Sequence, residues 1–81
     1  MVYEAGMLVK SKAGRDKDSV YVIVSAESEY VYVADGACRP VCRPKKKNKK
    51  HLQTILKERL DAPFHDGDVR ELCRRIRNVK G

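Results

Sequence analysis

Arg39, Arg43, Lys45, Lys46, Lys47, Lys49 and Lys50 put seven cations between Arg39 and His51 with no acid among them. The remaining eleven Lys and Arg match the eleven Asp and Glu, so this segment alone accounts for the net charge of +7. Five lysines within six residues repel one another until an anion sits among them, which makes the segment a candidate site for a polyanion and for phosphate first. A solvated charge run is the plainer reading of the same residues. A second pair of cations, Arg15 and Lys17, lies just after Gly14. Two cations beside a glycine can grip a phosphate while backbone amides approach it closely, or can simply pair with Asp16 and Asp18. Between residues 18 and 38 only acids occur, namely Asp18, Glu27, Glu29 and Asp35, so the molecule is expected to be electrically two-faced, with that edge turned away from nucleic acid.

Other chemistries find less to work with. Cys38 and Cys42 are spaced Cys-x-x-x-Cys, but no second close pair accompanies them, and Cys73, His51 and His65 are scattered; no metal and no cofactor are expected. An odd number of cysteines fits reduced thiols, with Cys73 as a small buried hydrophobe. There is no nucleophile elbow, no phosphate-cradling glycine loop and no pair of histidines at one-turn spacing, so catalysis is not expected. Tyr21, Tyr30 and Tyr32 can serve as a stacking platform for unpaired bases or as cross-strand packing pairs. A chain of 81 residues allows one domain, 1–81, which buries only about 60–65% of its unfolded surface and leaves little room for an enclosed site. No run approaches the roughly 18 apolar residues of a membrane span, and residues 1–10 lack the pattern of a secretory signal, so a cytoplasmic protein that does not enter membranes is expected.

The elements that must carry these cations are mostly strands. Met7, Leu8 and Val9 give way to Lys10, Ser11 and Lys12, a first strand expected to leave the core as it nears a loop centred on Gly14. Val20, Tyr21, Val22, Ile23 and Val24 are β-branched or aromatic without a break, as suits a strand covered on both faces. Residues 30–34 form a further strand, and Asp35-Gly36 signals a type I′ hairpin turn with a return strand over residues 37–41. Pro40 and Pro44 each remove a ladder donor, so that strand is expected to be an edge or to end there. Leu52, Thr54 and Leu56 are consistent with a closing strand. Val69, Leu72, Cys73 and Ile76 repeat at helical spacing and predict a helix over about 67–78, with Asp66 as N-cap and Arg70, Arg74 and Arg77 opposite the apolar stripe.

Residues 6–24, with Gly14 in the loop between two strand-like runs, resemble the KOW motif. The Asp35-Gly36 pair, then Pro44-Lys45-Lys46-Lys47-Asn48, then Lys50-His51-Leu52 are similar to a branch of that family: large-subunit ribosomal proteins of archaeal and eukaryotic type and their short bacterial relatives. The resemblance covers residues 6–53. It implies a mainly β fold, a small SH3-like barrel of about five strands over 6–56, to which the predicted C-terminal helix is added. It also implies that Lys45, Lys46, Lys47, Lys49, Lys50 and His51 lie against ribosomal RNA phosphates. Together with Arg15, Lys17, Arg39 and Arg43 these are the expected RNA-binding residues, while Gly14, Asp35 and Gly36 are the structural turns. The function expected is a non-catalytic RNA-binding protein, a monomer when free, docking on structured RNA of the large ribosomal subunit with neighbouring ribosomal proteins as further partners. The alternatives are an SH3- or Tudor-like protein-interaction module built on the tyrosines and an elongation-factor-like KOW domain.

Overall fold

Successive buried residues on the central strands make a sheet that is covered on both sides. The structure, a computed structural model, describes residues 3–12, 14–15, 17–36, 39–61 and 63–77, with the side chains of 56–58 and 77 outside that set. Five strands, β1 (Met7–Ser11), β2 (Val20–Ala26), β3 (Tyr30–Ala34), β4 (Lys45–Asn48) and β5 (Leu52–Arg59), precede one helix, α1 (Asp66–Arg77), and one 3-10 turn (Lys49–His51) joins β4 to β5. The strands form a single antiparallel sheet in the order β4-β3-β2-β1-β5, a meander whose last strand returns to pair with the first. The sheet curls into a half-barrel of SH3-like kind, and the fold is mainly β with a C-terminal helix, as expected.

On one face Val9, Tyr21, Ile23, Val31, Val33 and Leu52 pack together, with Tyr3 and Met7 against them. On the other, Leu8, Val20 and Val22 meet Val69, Leu72 and Cys73 of α1, with Ile55, Leu60, Phe64 and Ile76 around them. Successive residues of β2 thus feed opposite cores, which explains its unbroken β-branched run. Each fully buried Val or Leu contributes about 1.5–3 kcal/mol relative to exposure, so the helix stripe matters for a chain this small. The first strand does not leave the core where expected. Ser11 is buried, and its backbone both donates to Ser19 O at 2.9 Å and accepts from Asp18 N at 2.8 Å, which extends the β1–β2 pairing past the apolar residues.

The connections correct the sequence reading in three places. Asp35-Gly36 does not make a type I′ turn: Gly36 has φ 79° but Asp35 is not left-handed, and the amides of both donate to Arg39 O at 3.0 and 3.2 Å. A return strand over 37–41 is not formed by residues 39–41, which lie in a loop closed by Arg43 N on Pro40 O at 2.9 Å; residues 37 and 38 lie outside the described set. The fourth strand is the lysine run itself, which begins once Pro44 has been passed. A short edge strand of lysines is a stable arrangement because only one side of it has to pair. Asp66, finally, is the first helical residue and not the N-cap. Asp68 Oδ2 reaches back to His65 N at 3.0 Å as in a capping box, and His65 O accepts the first helical amide from Val69 at 3.1 Å. The Asp66 carboxylate is thereby free to hold the 40–43 loop, accepting from Val41 N at 2.6 Å.

Gly14 has the left-handed backbone, φ 84°, that its place in the β1–β2 loop called for. Gly14→Val is expected to cost about 1–3 kcal/mol, because a β-branched residue is strained there; urea denaturation checks this, and an unchanged midpoint would remove the backbone role assigned to Gly14. Expected barrel and helix limits of 6–56 and 67–78 compare with strands ending at Arg59 and a helix over Asp66–Arg77, Asn78 lying outside the described residues. Among the described residues no helix is long and apolar enough to cross a membrane.

Candidate nucleic-acid interface

β4 is an edge strand, and its register decides where each lysine goes. Lys45 and Lys47 pair with Val33 and Val31, so they share the half-barrel's inner face and are half-buried at its rim. Lysine stems tolerate this because the ammonium can extend to water beyond the apolar part of the chain. Lys46 and Asn48 pair with Tyr32 and Tyr30 on the outer face. Lys46 is exposed, and its Nζ lies 4.1 Å from the centroid of the Tyr30 ring, a cation–π contact worth about 0.5–1 kcal/mol at such a site. The Pro-Lys-Lys-Lys-Asn run therefore presents a ridge of alternating cations and not a free loop.

Asn48 Oδ1 then caps the 3-10 turn by accepting from Lys50 N at 3.0 Å. Within that turn Lys49 is held by the protein. Its amide donates to Glu29 O at 3.1 Å, its Nζ donates to Ser28 O at 3.1 Å, and the same Nζ stands 5.5 Å from the Tyr3 ring centroid. Lys50 and His51 are exposed. His51 O accepts from Lys12 N at 2.8 Å, and that bond brings the β1–β2 loop against the turn. Lys12, Arg15, Lys17, Lys50 and His51 consequently stand at one end of the sheet, all exposed. Lys12 was not singled out from sequence, since only pairing between residues 39 positions apart reveals where it sits. Lys10 is partly neutralised by Asp18, whose Oδ1 is 3.5 Å away; Asp16, the other acid considered for the loop, is outside the described residues.

Arg39 and Arg43 are exposed but belong to the opposite end of β4. Four strand residues at about 3.3 Å each separate them from the turn, so the expected site is a strip on the order of 13 Å long and not a single cluster. The acids are less segregated than expected. Glu27 and Glu29 are exposed in the β2–β3 turn, which is closed by Glu27 N on Tyr30 O at 2.8 Å, and this turn abuts Lys49. They border the lysine end and limit it on one side.

The tyrosines divide. Tyr21 is 5% exposed inside the half-barrel and is not available to a ligand, whereas Tyr30 is 37% exposed with Lys46 over its ring. Cys73 is buried in the helix stripe, Cys42 is exposed, and Cys38 lies outside the described residues. Among the described residues no three His, Cys, Asp or Glu side chains converge on a point where a metal would sit.

Fold and surface together define a small half-barrel with a cationic edge strand and a cationic loop cluster beside it. No family model matches the sequence, and a search of curated proteins found no match.

Proposed function

We propose that this protein is a non-catalytic RNA-binding module of KOW type that docks on structured RNA, with ribosomal RNA of the large subunit as its target. The observation that carries the reading is the 2.8 Å bond from Lys12 N to His51 O. It joins the β1–β2 loop to the end of the lysine strand, so that Lys12, Arg15, Lys17, Lys50 and His51 continue the ridge of Lys45, Lys46 and Lys47. Lysine is a compact point charge on a long stem, suited to phosphate oxygens and poorly suited to forked reading of base edges. The contacts accordingly fix the protein on a backbone, and preference among RNAs comes from shape. Exposed Gly14 at the loop leaves room for close approach of a sugar–phosphate chain.

In this reading the protein works in the cytoplasm, is a monomer when free, and needs no cofactor. A protein-interaction role through Tyr30 is less well supported, because the ring already carries Lys46 and Tyr21 is buried. Sedimentation of cell extract tests the target. The protein should travel with the large ribosomal subunit at low salt and move to the light fractions at high salt. Retention in the light fractions at low salt would remove the ribosomal assignment.

A further inference from the structure

Lysines dominate one end of the strip, but among the described residues the exposed cations at the other end are arginines, and the fold adds helix residues to them. Gly36 packs so closely on α1 that a side chain there would collide with Asp66 O and with the backbone of Arg70. Arg39 is tied to the same corner, its carbonyl accepting the amides of Asp35 and Gly36 and its own amide donating to Asp35 Oδ1 at 2.9 Å. Val41 is tethered to Asp66 Oδ1 at 2.6 Å. These bonds hold residues 35–36 and 39–41 against the first turns of the helix. Arg39 is thus brought to the corner where Arg70 lies; Arg43 follows two residues after the tethered Val41, and Arg74 follows Arg70 at one-turn spacing on the same helix flank. All four are exposed. Gly67, Arg70, Glu71 and Arg74, all of α1, line an open hollow of about 350 Å³.

We propose that Arg39, Arg43, Arg70 and Arg74 form a second RNA-contacting surface, distinct from the lysine end, which takes phosphates and splayed bases by forked and stacked guanidinium contacts. The proposal rests on the RNA-binding reading above and adds to it a second point of attachment. Three acids share the area. Asp35 and Asp66 are half-buried, each with one carboxylate oxygen accepting a loop amide, whereas Glu71 is exposed and faces the hollow. Their charge keeps the field here weaker than at the lysine end, so this surface gains its affinity from geometry. Arginine supplies that geometry, because its planar fork matches two phosphate oxygens and stacks on a base face.

The test compares full-length wild type, Arg70→Gln with Arg74→Gln, and Arg70→Lys with Arg74→Lys in binding a mixed-sequence RNA hairpin that carries an internal loop. Both positions are exposed, and circular dichroism verifies that the variants fold. The Gln pair should weaken binding about 3- to 10-fold and flatten the plot of log K against log salt by about 1–2, the loss of one or two phosphate contacts. The Lys pair should keep the wild-type slope and still bind more weakly. An unchanged affinity and slope in the Gln pair overturns the second surface while leaving the lysine-end reading intact, and full recovery of affinity in the Lys pair overturns the forked contact. If wild type itself does not bind the hairpin, the RNA-binding reading fails first. Loss of binding to polyglutamate by the Gln pair, with RNA binding unchanged, would give the surface to an acidic polypeptide instead and overturn the proposal.

Discussion

Gly6→Ala is expected to lower the melting temperature by roughly 10–30 °C, although it adds a single methyl group. Gly6 is buried just ahead of β1, with φ 92°, where any residue carrying a Cβ is strained by about 1–3 kcal/mol. Its amide donates to Ile23 O at 2.8 Å and its carbonyl accepts from Leu60 N at 2.9 Å, so it clamps the middle of β2 to the exit of β5. A Cβ built on it would fall onto the Leu60 carbonyl, backbone that cannot swing away. Crowding of that kind adds about 1–3 kcal/mol, and a domain of this size loses about 4–8 °C for each kcal/mol. Gly67 provides the contrast. It lies in the first turn of α1 with nothing within 4 Å of a Cβ, so Gly67→Ala should be neutral or raise stability by up to about 1 kcal/mol. Equal melting temperatures for the two variants would show that Gly6 is not the clamp described.

Gly6 also marks a limit of sequence reading, since its partner Leu60 lies beyond the closing strand. Local signals were sufficient where one element settled the matter. The β-branched run of β2, the loop glycine at position 14 and the stripe of Val69, Leu72, Cys73 and Ile76 each announced a structure that a neighbour had only to accept. They failed where two elements competed for the same chain. Asp35-Gly36 has the composition of a two-residue hairpin, but Gly36 is used to admit the helix backbone and Asp66 captures Val41, so the chain takes a wider loop before β4 begins. The lysines were legible as a charge run and illegible as a strand, because edge pairing with β3 overrides the weak strand preference of Lys. The same holds for the candidate site. Arg15, Lys17 and Lys50 could be named from charge alone, and His51 only from the resemblance. Lys12 enters only through its bond to His51, and the link between Arg39 and Arg70 only through Gly36. Lys49, chosen from sequence as a phosphate ligand, is engaged by Ser28 and lies beside Tyr3, which gives it a structural task.

That placement decides which lysines a functional test should change. Lys49 should be left alone, and Lys45 and Lys47, half-buried at the rim, are poor choices for the same reason. Lys12, Lys17, Lys46 and Lys50 are exposed, so a variant with all four changed to Gln should retain its fold. If those four with Arg15 neutralise about five phosphates, this end contributes roughly −3.5 to −4.5 to the slope of log K against log salt for a structured RNA, spanning single-strand and duplex coefficients. Between 50 and 200 mM salt that is a loss of about 100- to 500-fold in affinity. With four of those five contacts gone the slope should flatten by about 2.8–3.6, whatever contacts the arginine end retains. Weakening should be similar for RNAs of different sequence, because lost phosphate contacts carry no base information.

The most direct measurement is therefore the salt dependence of the dissociation constant for one RNA hairpin, taken on wild type and on the Lys12, Lys17, Lys46, Lys50→Gln variant side by side. The account predicts a steep wild-type slope, about −4 from the lysine end alone, that flattens by about 3 in the variant. A wild-type slope near zero, or a steep slope that survives all four substitutions, would contradict it. Tyr30→Ala abolishing capture of a defined protein partner alongside such a result would move the function to the exposed tyrosine of the outer face.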